Sequence, residues 1–185
     1  MMNHILLGTL AAAMAVSTAA AVRPEAGPED LNDLEMAHVA VTANNTDIAY
    51  AHLALALSHD PDVRAFAETM IRDHGAVNEQ VFALAKRLGV EAQDNDVSRE
   101  LRENMRRNVD ELSRLRGEAF DRRYATNEAA YHQAVNGLVE NTFIPNIENA
   151  EVKAAFEGAL RIFLVHQTHA EELASRYETT QGEWR

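Results

Sequence analysis

The chain has 185 residues, enough for one domain with a substantial core and too few for two comfortable ones. Hydrophobic residues make up 46% and charged residues 25%, and the scarcity of Gly and Pro favours helices over strands. The net charge of -12 argues against nucleic acid as a partner, because phosphate binding needs clustered Lys and Arg, and the absence of cysteine excludes disulfides.

The N-terminal residues are typical of an export signal. The apolar stretch from Ile5 to Val16 is too short to span a bilayer with ease, and Ala19 and Ala21 beyond it fit an A-x-A cleavage site. No Lys or Arg precedes this stretch, so a membrane-tethered N-terminus is the alternative. We expect a signal peptide over residues 1–21, and a periplasmic or otherwise exported mature chain without a transmembrane segment.

A short linker rich in Pro and Gly, residues 22–29, leads into the first predicted helix. This helix runs from about Asp30 to Ser58, and the polar run Thr42–Asn45 is the place where it could be interrupted. Its apolar side chains recur at helical spacing. They are Leu34, Ala37, Val41, Ile48, Ala51 and Leu55.

The second predicted helix has the clearest boundaries and one unusual interior position. Asp60 is a typical N-cap followed by Pro61 at the first helical position, and Gly89 is a typical C-terminal stop. The apolar stripe consists of Val63, Phe66, Met70, Val77, Val81, Leu84 and Leu88. His74 falls on the centre line of this stripe, where an unpaired imidazole would be costly to bury.

Three further helices are predicted in the second half of the chain. A charged helix covers about Val97–Leu115 after a polar turn. Gly117 separates it from a fourth helix that follows to about Asn141. Pro145 marks the next loop, and Asn149 is a plausible N-cap for the last helix.

These elements predict an all-α fold, a bundle of four long helices with one additional shorter helix. No segment shows the alternation of apolar and polar residues that is typical of a strand, and no internal repeat is evident. We expect the bundle to occupy residues 30–178 and to leave a C-terminal tail at 179–185.

Several stretches resemble an exported bacterial family, the one catalogued as domain of unknown function 4142. They are Asp62–Ala67, Met70–His74, Leu84–Val90, Ala119–Tyr124, Tyr131–Val135, Asn141–Asn146 and His166–Ala170. Together they span roughly residues 31 to 177. The resemblance implies a ferritin-like bundle in the periplasm or envelope, in a family without a settled activity. At position 47 the family more often has Glu, where this chain has Asp47.

Ferritin-like metal sites take carboxylates and histidines from facing helices, including a Glu-x-x-His pair from each of two helices. This chain lacks that pair at the positions that would require it, so a standard di-iron oxidase site is not expected. The nearest approaches are Asp73-His74, Glu128-x-x-x-His132 and His166-x-x-His169. A mononuclear or looser His-carboxylate site stays open.

The helix lengths suggest which of these groups face one another. Folding the first two helices about Ser58–Asp60 puts Asp47 level with His74. Folding the last two about Pro145 brings His166 nearer the level of Glu128 than that of His132. At 1.5 Å per residue, His132 would then lie on the order of 10 Å from the level of His166, measured along the helix axis.

The helical faces give a similar assignment. At about 100° per residue, His74 and His166 lie within apolar stripes, whereas His132 and His169 lie on the flanks. We therefore expect His74 and His166 in the interior, with Asp47 and Glu128 as their acidic partners. His132 is supported by the resemblance more than by geometry.

Two functions compete. In the first, Asp47, His74, Glu128, His132 and His166 hold a transition metal ion such as zinc, iron, copper or manganese. In the second, the protein is a non-catalytic envelope stress or interaction protein whose histidines only brace the bundle. No Gly-x-Ser-x-Gly elbow and no Gly-rich phosphate loop is found, so we expect no catalytic residue, and an oxidase is the weakest option.

Overall fold

The computed structural model describes residues 27–179, and all regular structure in that range is helical. A 3-10 turn at Pro28–Asp30 precedes the helices. These are α1 (Asp33–Leu57), α2 (Pro61–Leu88), α3 (Asp96–Leu112), α4 (Glu118–Leu138), a π-helix (Val139–Phe143), the short α5 (Ile144–Asn146) and α6 (Ala150–Thr179). The predicted all-α bundle is confirmed. The predicted signal peptide lies outside the described residues, as do most of the linker and the tail.

Helix α1 is continuous, so no interruption occurs at Thr42–Asn45. It begins with a capping box in which the Asn32 side chain accepts hydrogen bonds from the amides of Leu34 and Glu35, and the Glu35 side chain accepts one from the Asn32 amide. The polar run stays helical because its Asn44 side chain finds a partner on α2 and does not compete for the backbone.

The predicted ends of α2 are confirmed. The Asp60 carboxylate accepts hydrogen bonds from the amides of Asp62 and Val63, and Pro61 takes the first helical position. Gly89 ends the helix with a φ of 70°, a left-handed conformation that a residue with a Cβ adopts only at a cost.

The four long helices α1, α2, α4 and α6 surround one interior. The Asn44–Asn78 and Arg64–Leu55 hydrogen bonds make α1 and α2 antiparallel. The Arg176–Asp62 and Arg87–Glu151 ion pairs make α2 and α6 antiparallel. Helix α4 also runs antiparallel to α6, and therefore α2 and α4 point in the same direction.

Helix α3 connects these two parallel helices by crossing the length of the bundle. It lies beside α1 and runs in the same direction. The Asn95 amide donates to the Glu35 carbonyl near one end, and the Asn108 amide donates to the Tyr50 hydroxyl near the other. The apolar side chains of α3 form a narrow line along one side, and this side packs on α1. The charged side chains of α3 are on its exposed surface.

The chain reverses between α4 and α6 later than predicted. The π-helix and α5 keep it helical through Asn146, because a proline such as Pro145 is compatible with the first turn of a helix. The reversal therefore falls at Ile147–Asn149. Asn149 caps α6 as predicted, with its side chain accepting from the amides of Glu151 and Val152.

The two halves of the bundle interior are packed differently. The packed half lies toward the Ser58–Pro61 turn and is filled with large side chains that include Tyr50, Phe66, Met70, Phe120 and Tyr124. The cavity half lies toward the Ile147–Asn149 turn and has a smaller core that includes Leu31, Met36, Phe143, Ile147 and Phe156. It also contains a cavity of about 460 Å³. Between residues 27 and 179, no helix is both long and apolar enough to cross a membrane.

Candidate metal centre

The five residues predicted as ligands lie together where the two halves of the bundle meet. Asp47 comes from α1, His74 from α2, Glu128 and His132 from α4, and His166 from α6, and all five are buried. Ligand atoms of His74, His132 and His166 lie within 4.8 Å of one another. Those of Asp47, Glu128 and His132 do the same, so His132 belongs to both groups.

Hydrogen bonds fix which nitrogen of His74 and of His132 faces this centre. The Asn44 amide donates to Asn78, so its Oδ1 accepts the hydrogen bond of 2.9 Å from His74 Nδ1. His132 Nδ1 donates to the backbone carbonyl of Glu128 at 3.0 Å. In the neutral form of each ring the proton is therefore on Nδ1, and Nε2 presents a lone pair to the interior.

The Asp47 carboxylate faces both of these lone pairs. Its Oδ2 lies 3.2 Å from His74 Nε2 and 3.3 Å from His132 Nε2, without hydrogen-bond geometry to either. Three electron-rich atoms at such distances repel one another unless a cation lies among them. Leaving a single buried polar atom without a partner costs about 1–3 kcal/mol, so this arrangement points to a proton or a metal ion.

His166 is oriented by a different acid from the predicted one. Its Nε2 donates to Asp73 Oδ2 at 3.0 Å, and Arg72 holds the same carboxylate with two hydrogen bonds. The expected pairing of His166 with Glu128 is thus wrong. His166 Nδ1 is buried and has no hydrogen-bond partner in the described part of the chain, which makes it the third free imidazole nitrogen.

The structure also corrects the expected position of His132. The expectation placed this residue on a helix flank, about 10 Å off the level of His166. It is buried, and its ring centroid lies 5.8 Å from that of His166. The error came from folding the chain at Pro145, because the actual reversal at Ile147–Asn149 moves His166 to the level of His132.

Burial decides the charges of this centre. Burial lowers the pKa of His132 and brings the pKa of His166 to about 4, so both imidazoles are neutral at pH 7 and available as ligands. Burial and the nearby Asp47 charge raise the pKa of Glu128 well above its usual value. Burial also raises the pKa of Asp47, but the neighbouring imidazoles, His74 foremost, lower it by more when they carry a proton, so a cation beside this carboxylate keeps it ionised.

Side chains behind the ligands hold them in place. The ring of Phe163 stacks on that of His74, with centroids 4.3 Å apart and an interplanar angle of 8°. A chain of amides continues from Asn44 through Asn78 to Asn45. Metal-binding histidines characteristically donate their second ring N–H to a carbonyl or carboxylate, and all three histidines of this centre do so.

Sequence reasoning missed most of these supporting residues, although it did note the Asp73-His74 pair. Asn44 lies three residues before Asp47 and Asn78 four residues after His74, so each shares a helix face with a predicted ligand. That spacing was the available signal. His169 is exposed, with its ring T-shaped against that of Phe66, and does not join the centre.

Comparison with known proteins identifies a family. The family model described as Domain of unknown function (DUF4142) matches residues 15–173. Searches of curated proteins and of solved structures found no match.

Proposed function

This chain belongs to the DUF4142 family, whose description assigns no activity, and we propose from its own residues that it binds a transition metal ion. The ion lies among four helices, with His74, His132 and His166 as neutral nitrogen ligands and Asp47 as the charged ligand. Three imidazoles and a carboxylate suit zinc, iron, copper or manganese. Glu128 lies beside Asp47 and is available as a further oxygen ligand.

The observation that carries this proposal is the position of Asp47 Oδ2 between two imidazole lone pairs. The Nδ1 atoms of both rings already donate hydrogen bonds, and these bonds hold the Nε2 atoms toward the carboxylate. A divalent cation would satisfy Asp47, both Nε2 atoms and His166 Nδ1 together, which no single proton can do.

We further propose that the bundle is ferritin-like and exported. The single long crossover through α3, which links two parallel helices, supports the first part, because one such crossover distinguishes ferritin-like folds from up-down bundles. The apolar N-terminal stretch and its Ala-x-Ala ending support the second. The mass of the protein recovered from periplasm tests export: loss of residues 1–21 is expected, and an intact chain in the membrane fraction would favour a tethered N-terminus.

Metal content tests the binding proposal. Protein purified from periplasm should contain close to one equivalent of a transition metal by elemental analysis, and the His74→Ala/His166→Ala double variant should have lost nearly all of it. His169→Ala is the matched control, because His169 lies on the same helix as His166 but is exposed, and its metal content should not change. Equal metal content in the double variant and the control would overturn the proposal.

One observation favours the competing structural role. The His74–Asp47 distance of 3.2 Å also suits an ion pair between a protonated imidazole and the carboxylate. In that case the histidines only brace α1, α2 and α4, and a chelator leaves the melting temperature unchanged. Under the metal proposal, chelation lowers the melting temperature, and restoring the metal raises it again.

A further inference from the structure

The 460 Å³ cavity in the cavity half begins directly beside the candidate metal centre. Phe163 and Asn44, which contact His74, also line the cavity. All four long helices contribute to its walls, and most of the lining side chains are Ala, Val or Leu. Its volume of about 460 Å³ is within the range of small-molecule sites, which are roughly 300–1,000 Å³.

Small residues keep this space open. Ala37 on α1 and Ala155 and Ala159 on α6 take wall positions where larger side chains would fill the interior. Phe82 lies at the mouth and is 57% exposed, which gives the entrance an apolar edge. The volume is roughly three times that of a cavity that holds one benzene, so a molecule of about 15–20 non-hydrogen atoms fits.

One buried polar side chain of the lining has an atom without a protein partner among the described residues. Asn136 is only 3% exposed, and its amide nitrogen donates to the Phe163 carbonyl and to Gln167 Oε1. No described residue donates to its Oδ1. Since Asn136 lines the cavity, that oxygen is available to accept a hydrogen bond from a ligand.

The charges at the cavity select against an anionic ligand. The charged lining residues are Asp33, Lys86 and Glu91, so the lining carries one negative charge more than positive, on a protein with a net charge of -12. A fatty acid would need a cation to meet its carboxylate, and Lys86 is exposed and outnumbered by acids.

We propose that this cavity binds an uncharged apolar molecule that carries one hydrogen-bond donor, with the donor meeting Asn136 Oδ1. The ligand class is a neutral amphiphile, such as a long-chain or cyclic alcohol or an arylamine. The apolar body contacts the Ala, Val and Leu side chains of the four helices.

A pair of fluorescent probes tests the ligand class. N-phenyl-1-naphthylamine is uncharged, apolar and of the right size, with a single N–H donor, and it should bind saturably at one site per chain. Its sulfonated analogue, 8-anilinonaphthalene-1-sulfonate, should bind at least tenfold more weakly because it is an anion. In competition, 1-dodecanol should displace the bound probe at lower concentration than dodecanoate. Equal affinity for the neutral and anionic members of each pair would overturn the proposal.

Substitutions test the location. Ala159→Phe fills the cavity from α6 and should weaken probe binding at least tenfold, whereas Ala154→Phe adds the same ring at an exposed position of that helix and should not. Ala37→Phe fills the cavity from α1 and replaces the first variant if that one fails to fold, as judged by circular dichroism. Unchanged binding in a folded cavity-filling variant would assign the probe to exposed apolar side chains such as Val165, which is 66% exposed, and would overturn the proposal.

The result can be separated from the metal proposal. Chelator-treated protein and the His74→Ala/His166→Ala variant should still bind the neutral probe, because the apolar walls and Asn136 are unchanged in both. Ala159→Phe should in turn keep its metal. Loss of probe binding in Ala159→Phe with metal content retained supports the cavity site, even if the metal later proves adventitious.

Discussion

The two halves of the bundle have the same four helices but different interiors. In the packed half, aromatic rings on α1, α2 and α4 fill the space between the helices, whereas alanines on α1 and α6 leave a cavity in the other half. The candidate metal centre lies between them. Similar helix packing thus supports two roles: the packed half supplies stability, and the cavity half leaves room for a ligand beside the centre.

The first way to test this comparison is a leucine truncation in each half. Leu112→Ala removes a fully buried side chain of the packed half and should cost about 2–5 kcal/mol of unfolding free energy. Leu84→Ala removes a partly buried side chain that already borders the cavity, so its loss should be clearly smaller. Urea unfolding measures both. Equal losses would mean that the halves do not differ in their contribution to stability.

The second test concerns the Asp47 carboxylate, which lies between the two halves. In metal-free protein, Asp47→Asn should not lower stability, because an amide can donate to one of the imidazole lone pairs that now face a carboxylate. The same variant should lose the stabilisation by added metal, which is about 2.7 kcal/mol at a metal concentration one hundred times the Kd. Thermal unfolding with and without metal gives both values. A loss of about 3–5 kcal/mol in the metal-free variant would instead indicate a structural His-Asp ion pair.

The third test separates the supports of His74. Asn44→Ala removes the acceptor for His74 Nδ1 and should weaken metal binding about 10–100-fold, the usual effect of removing such a partner. Asn45→Ala is the control, because Asn45 is the last member of the amide chain and does not contact His74. Competition with a chelator of known affinity measures both variants. Similar metal affinities for the two variants would mean that Asn44 does not orient His74 for metal binding.

The smallest expected effect lies at the far end of the packed half. Partial burial raises the pKa of Asp60, but hydrogen bonds from the amides of Val63 and Asp62 and from the Tyr177 hydroxyl bring it below its usual 3.8. A carboxyl group with a lowered folded-state pKa stabilises the protein above its unfolded pKa and loses that contribution as the pH falls through the folded value.

Asp60→Asn should therefore reduce the loss of stability on acidification below about pH 4, since an amide still caps α2 but does not titrate in this range. Unfolding curves from pH 6 to pH 3 for both proteins measure the difference. An identical pH dependence would mean that other carboxyl groups account for the acid sensitivity, and that the cap does not.

Much of this arrangement could be predicted from sequence where strong local signals fix the chain. Asp60, Pro61 and Gly89 bound α2, so counting residues back from the turn placed Asp47 beside His74 correctly. The same count failed for His132, because Pro145 continues the helix and the chain turns only at Ile147–Asn149. An error of a few residues in the position of the turn changes which side chains are level, even where the long helices are predicted.

Other features depend on packing that a single sequence does not reveal. Ala37, Ala155 and Ala159 read as ordinary small residues of helix interfaces, and only their positions on facing helices create the cavity. The pairing of His166 with Asp73 likewise depends on how α2 lies against α6. Both features require the relative rotation of helices that are distant in sequence.

The central claim is that a metal ion binds where Asp47 meets the three histidines. The most direct measurement is an anomalous difference map from crystals of the protein, recorded at the absorption edge of the metal that copurifies with it. The account predicts one strong peak within bonding distance of Asp47 Oδ2, His74 Nε2, His132 Nε2 and His166 Nδ1. No peak there, with His74 and Asp47 in a direct hydrogen bond, would contradict it.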